Sequence, residues 1–142
     1  MLFPKLISLN SLNFEFHDCD FSSSMMNAVD KVDGMKREGS GRVGIYKATD
    51  IPYSYTLEAP FFFKNKSEPL CKQKDLKNDR IVGENQFTDF KSAVYYPENL
   101  GNFTLERFEE AGRAIGVSIL DLFECNPITR LPQTSFKSLE GL

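Results

Sequence analysis

Two side chains in the stretch 39–63, Arg42 and Glu58, have types and positions that could do chemistry. Glu58 lies near the end of Tyr53–Ala59, a run with strand composition. Pro60 should stop that run, because proline has no N–H to give to a ladder. On a period of two, Tyr53, Tyr55, Leu57 and Ala59 share one face and Ser54, Thr56 and Glu58 the other. In open α/β sheets, ligands sit beyond the carboxyl ends of the strands. A glutamate placed there suits general-base work, worth about 10²–10⁴-fold once burial raises its pKa toward neutrality. The same position equally suits an edge carboxylate in solvent. Arg42 opens a second strand-like run, Arg42–Tyr46, after Gly39, Ser40 and Gly41. In a partly buried groove its guanidinium would make two parallel hydrogen bonds to a carboxylate. At an exposed strand end it would do little.

The elements that must position these residues are unevenly marked. Residues 3–10 place Phe3, Leu6, Ile7 and Leu9 on a short helix, with Pro4 suited to its first turn. Leu12–His17 alternates apolar and polar residues, which predicts one half-buried strand. Residues 22–41 hold no sustained period. Met25, Met26, Ala28, Val29 and Val32 allow a helical turn or two in what otherwise reads as a loop. Residues 64–100 read as a polar, lysine-rich insertion with one short element at Phe87–Tyr96, longer than an ordinary loop.

Thr104 then opens the clearest helix, with Glu106, Glu109 and Glu110 near its positive end. Leu105, Phe108, Ala111, Ile115, Ile119 and Leu122 form its apolar stripe. Gly112 and Gly116, each costing about 1 kcal/mol against alanine, share a face that suits close approach to a sheet. Pro127 should end this helix and leave 126–142 as a loose tail.

Composition narrows the function. The chain has 142 residues, enough for one domain or part of one. A net charge of −3 argues against nucleic acid as a partner. No apolar run approaches the roughly 20 residues that span a bilayer, and the start lacks a signal-peptide pattern. Three cysteines at wide spacing, Cys19, Cys71 and Cys125, fit reduced thiols. A soluble, cytoplasmic protein with no nucleic-acid or membrane partner is expected.

Read together, Glu38-Gly-Ser-Gly-Arg42-Val43 and Ile51-Pro-Tyr-Ser54-Tyr55-Thr56-Leu57-Glu58-Ala59 resemble one region of the cytosolic carboxypeptidases. That subgroup of the zinc carboxypeptidases includes the tubulin deglutamylases. Its pattern is K-E-G/S-T-x-R-V followed by G-I-x-N-S-Y-T-L/M-E-A-S-F. Two further blocks agree in order. Phe3-Pro-Lys-Leu6 with Phe14-Glu-Phe-His-Asp-Cys-Asp-Phe21 is similar to the family's F-P-K-L-L and F-x-F-x-x-C-x-F. Phe103–Gly112, running on to Ser118–Leu122, resembles its final H-F-T-x-x-x-L-E-x-M-G…L-L-D helix.

The resemblance implies an α/β fold. It would be the C-terminal part of a mixed-sheet zinc carboxypeptidase domain, covering 1–125, with a long C-terminal helix packed on the sheet. It implies that Glu58 is general base, and later acid, on a zinc-bound water, whose pKa the metal lowers toward about 7. It implies that Arg42 receives an acidic C-terminal side chain. The substrate would be a glutamate-tailed protein such as tubulin, with cilium or microtubule association to match.

The departures carry equal weight. The family holds zinc with a His-x-x-Glu pair and a later His, all upstream of the Phe-Pro-Lys-Leu block. This chain has one histidine, His17, and no His-x-x-Glu. A catalytic zinc needs three protein ligands and an open position. His17 and Cys19 would share a strand face but supply two candidates and match no family ligand. The chain alone is therefore expected to hold no zinc and to be inactive.

The family's arginines and asparagine for the terminal carboxylate also lie upstream, and its mobile tyrosine has no clear counterpart before Arg42. Pro60-Phe-Phe-Phe63 replaces the usual Ser-Phe. Lys64, Lys66, Lys72, Lys74 and Lys77 suit a solvated loop, or an acidic tail as its partner. Two functions remain: a metallocarboxypeptidase portion, or an inactive relic kept as a binding or structural subunit. Three ordered blocks argue against an unrelated module. Half a sheet would leave an open edge, so a partner chain completing the sheet is expected.

Overall fold

In the computed structural model, residues 1–26, 28–29, 34, 41–51, 53–58, 70–82 and 104–142 are described. In chain order the elements are α1 (Leu2–Asn10), α2 (Ser23–Met26), α3 (Gly41–Thr49), β1 (Gln73–Asp75), β2 (Arg80–Val82), α4 (Leu105–Leu122) and β3 (Ile128–Thr129). Short 3-10 turns cover Phe16–Asp18 and Leu131–Gln133. The class is mixed α/β, as expected. The chain divides into two units, Met1–His17 with Pro60–Leu142, and Asp18–Ala59.

In the first unit α1 forms where the sequence places it, because Pro4 sits in the first turn, where a missing N–H costs nothing. It buries Leu6 and Ile7. The strand expected over Leu12–His17 is absent. The Ser11 hydroxyl accepts from the Asn13 amide at 3.0 Å, and this local turn competes with an extended backbone.

α4 has Thr104 at its N-cap position, but the hydroxyl serves Glu106 instead of a backbone N–H. The helix ends before Pro127. The amides of Glu124 and Cys125 donate back to Asp121 and Leu120, at 3.1 and 2.9 Å, with Glu124 at φ 54°. That is a Schellman closure with a non-glycine residue in the left-handed position.

α4 packs on α1 through a polar face. Its buried residues are Arg107, Glu110, Ala114, Ser118 and Asp121, whose spacing of three and four keeps them on one side. Asn10 Nδ2 reaches Asp121 Oδ2 at 2.8 Å and Ser118 Oγ at 3.2 Å. Asn126 Nδ2 donates to Asp121 Oδ1 at 2.7 Å. Ser11 Oγ and Asn13 Nδ2 donate to Glu110 Oε2 at 2.6 and 2.8 Å. The expected apolar stripe is therefore corrected. Leu105, Phe108 and Ile119 are exposed, and Ala111, Ile115 and Leu122 are only half-buried. Buried polar groups need partners, and Asn10, Ser11 and Asn13 supply them to this face. Asp121→Ala should strand the Asn10 and Asn126 donors and cost about 2–3 kcal/mol, read as a lower urea midpoint at unchanged slope.

Residues 70–82, part of the expected polar insertion, carry a β-hairpin; Phe87–Tyr96 lies outside the described residues. β1 pairs antiparallel with β2 (Lys74 opposite Ile81) and with β3 (Asp75 opposite Ile128), giving the order β2-β1-β3. Asp75 builds the turn. It accepts from the Asn78 side-chain amide at 2.7 Å, the Lys77 and Asn78 backbone amides at 3.1 Å, and Arg80 Nε at 3.2 Å.

The Asn78 side-chain amide is the main cause that holds the Asp75 carboxyl below its ordinary value, against desolvation, which raises it. A carboxyl depressed on folding binds fewer protons folded than unfolded. Its stabilisation is therefore present above the unfolded value, near about 4, and fades as pH falls through the folded one. The protection of the Lys77 and Asn78 amides, measured against their intrinsic exchange rates at each pH, should fall over that acid range, and Asp75→Asn should abolish the step.

Residues 128–142 are not loose. Thr129, Arg130, Leu131 and Thr134 are buried. Arg130 donates to the Cys71 carbonyl, and the Leu76 amide donates to the Pro127 carbonyl at 2.8 Å. Lys5 Nζ lies 4.9 Å from the Phe16 ring centroid and 5.4 Å from that of Phe136, so cation–π contacts tie this segment to α1.

Candidate active site

Arg42 and Glu58 both belong to the second unit. Arg42 stands in the first turn of α3, half-buried, so the strand expected at Arg42–Tyr46 is corrected to a helix. Val43, Ile45 and Tyr46 favour strands, yet a strand must find its hydrogen bonds in a neighbour, whereas a helix satisfies its own. Val43 is the residue this helix buries. Thr49 Oγ1 donates to the Ile45 carbonyl at 2.7 Å, and the Asp50 amide donates to Tyr46 at 2.7 Å with Asp50 at φ 59°. The helix therefore stops at Thr49. At its other end, the partial positive charge of the first turn adds to the guanidinium in attracting an anion.

Glu58 is exposed at the end of residues 53–58, which form no strand pairing among the described residues; Ala59 and Pro60 lie outside them. The expected Tyr53–Ala59 strand is thus not formed over 53–58 among the described residues. Its expected core face is also open: Tyr53 is 73% and Leu57 53% exposed. Tyr55 is the better-anchored residue. Its ring meets Phe21 edge-on at 6.4 Å between centroids, and desolvation, with a smaller contribution from Tyr53, raises its hydroxyl pKa.

No ion pair joins Arg42 to Glu58 among the described residues. His17 is exposed within a 3-10 turn, which removes the strand face it was expected to share with Cys19. Among the described residues no group of three or more His, Cys, Asp or Glu is placed to hold a metal ion. The ligand set that a catalytic zinc requires does not fit these residues. No described helix is long and apolar enough to cross a membrane.

With that geometry in view, the chain can be set beside known proteins. No protein-family model matches it. Curated relatives match it end to end. "Cytosolic carboxypeptidase-like protein 5" of Rattus norvegicus is 38% identical over 143 residues, 100% of this chain and 16% of the rat protein. The proteins of the same name in Homo sapiens and Danio rerio are each 40% identical, over 142 and 145 residues and 15% of their lengths.

The chain is similar along its whole length to one stretch of proteins named cytosolic carboxypeptidase-like.

It spans about one sixth of the carboxypeptidase-like relatives it matches. Sequence reading missed the α1–α4 polar face. Its partners are about 100 residues apart, and the one local signal was the i, i+3, i+4 spacing of Glu110, Ala114, Ser118 and Asp121.

Proposed function

We propose that this chain contributes two working side chains to a cytosolic metallocarboxypeptidase that removes C-terminal glutamate from proteins such as tubulin. The observation that carries the reading is the 38–40% identity over the whole chain to proteins named cytosolic carboxypeptidase-like. In that reading Glu58 takes a proton from the attacking water and later gives it to the leaving amine. Arg42 holds the side-chain carboxylate of the terminal glutamate, with the first turn of α3 behind it.

Glu58 is exposed in this unit, and a glutamate base works best when burial raises its pKa. Its cover must come from substrate or from further polypeptide. The described residues do not fit the zinc of such enzymes, so its ligands would lie elsewhere and no step is assigned to it.

Segment exchange tests the proposal. Residues 1–142 replace the matching 142 residues of the human relative, and release of glutamate from a glutamate-ended peptide is measured. Activity within about tenfold of the parent is expected. A folded but inactive exchange protein would favour the relic reading, a binding or structural subunit. The isolated chain should neither bind zinc nor release glutamate. Release by the isolated chain, abolished by Glu58→Gln, would show that it needs no further lobe.

A further inference from the structure

The open side of α4, opposite its buried polar face, repeats itself about the middle of the helix. Leu105 and Phe123 are each 70% exposed, Phe108 50%, Leu120 46% and Ile119 43%. Leu105 and Phe123 lie nine residues either side of Ala114, Phe108 and Leu120 six, and Gly112 and Gly116 two. At 100° per residue, Leu105, Gly112, Gly116 and Phe123 run along the centre of the face, about 180° from Ala114. Phe108 and Ile119 form one flank of it, and Glu109 and Leu120 the other. A Cβ added at either glycine would meet nothing within 4 Å. The face is therefore flat in the middle and bulky at both ends. The helix cannot turn it inward, because Asn10, Ser11 and Asn13 hold Asp121 and Glu110 on the opposite side.

We propose that a second copy of this chain docks here, the two α4 helices lying antiparallel about a two-fold axis level with Ala114. An isologous contact uses one patch twice, so the patch must complement its own reverse. A different partner imposes no such symmetry, and the spacing about Ala114 supplies it. Leu105 meets the partner's Phe123 at each end, and Phe108 meets the partner's Ile119 along one flank. The glycines face one another and let the axes approach to about 8 Å. Charge does not oppose the pairing. Antiparallel helices set opposite dipole ends side by side, and the two Glu109 carboxylates stand about 15 Å apart, beyond the screening length of about 8 Å. At about 200 Å² for a fully exposed side chain of this size, the five apolar residues offer roughly 550 Å² per copy. The pair then buries about 1,100 Å², just above what a specific interface needs, so its Kd should lie at about 10–100 µM. This contact needs neither Glu58 nor the family reading.

Sedimentation equilibrium of the 142-residue chain tests it. A monomer–dimer equilibrium is expected, and Gly112→Leu should weaken it about tenfold or more by holding the helices apart. That leucine enters open space within one chain and favours the helix, so the loss cannot be put down to misfolding. Phe108→Lys and Ile119→Glu should each weaken the dimer, with unchanged circular dichroism. Mixed together they should form a 1:1 heterodimer tighter than either variant alone. The antiparallel pairing brings the new lysine to the new glutamate once and leaves one Phe108–Ile119 contact intact. A chain that stays monomeric at about ten times that Kd would overturn the proposal. So would a dimer indifferent to Gly112→Leu, or a mixture no tighter than its components.

Discussion

Glu58→Gln, placed in the exchange protein, is expected to lower kcat for glutamate release by roughly 10²–10⁴-fold. The amide keeps the size and polarity of the side chain but cannot accept the proton of the attacking water at neutral pH. KM should change little, since the group acts on the reacting water and not on the substrate's remote contacts. A loss confined to KM would mean that Glu58 binds substrate instead.

Arg42→Ala should separate substrates. A guanidinium and a carboxylate that meet in a covered site lose about 2–5 kcal/mol when one partner is removed. That corresponds to a fall in kcat/KM of about 30- to 4,000-fold for a glutamate-ended peptide. An alanine-ended peptide makes no such pair, so its kcat/KM should hold within about threefold of wild type. Arg42→Lys keeps the charge but not the planar fork and should fall between them. Equal losses on both peptides would place Arg42 in the scaffold of α3 and not in the specificity site.

The parts of the fold legible in the sequence are those with local causes. α1 and α4 are helices whose starts are marked by Pro4 and Thr104 and whose hydrogen bonds close within each segment. Arg42–Tyr46 and Tyr53–Ala59 read as strands from composition, but a strand is a statement about a neighbour, and the sequence of one segment does not contain its neighbour. The first became α3, and residues 53–58 form no strand among the described residues.

Long-range polarity was equally hidden. The apolar stripe of α4 looked like core, yet Asn10, Ser11 and Asn13 gave the polar side its partners. Arg130 and Thr134 looked like tail until the Cys71 carbonyl and the Leu131 turn gave them hydrogen bonds. As for the candidate site, Glu58 and Arg42 were ambiguous by spacing. The roles proposed for them rest on family resemblance, and both residues lie in one unit.

In the proposed function this chain brings the base to a peptidase site whose metal is held by other residues. The most direct measurement is zinc content and glutamate release on the same preparation of the exchange protein, with and without Glu58→Gln. The account predicts about one zinc per molecule in both, as a catalytic site of three other ligands requires, with release lost only in the variant. Zinc retained in both with release undiminished by Glu58→Gln would contradict it.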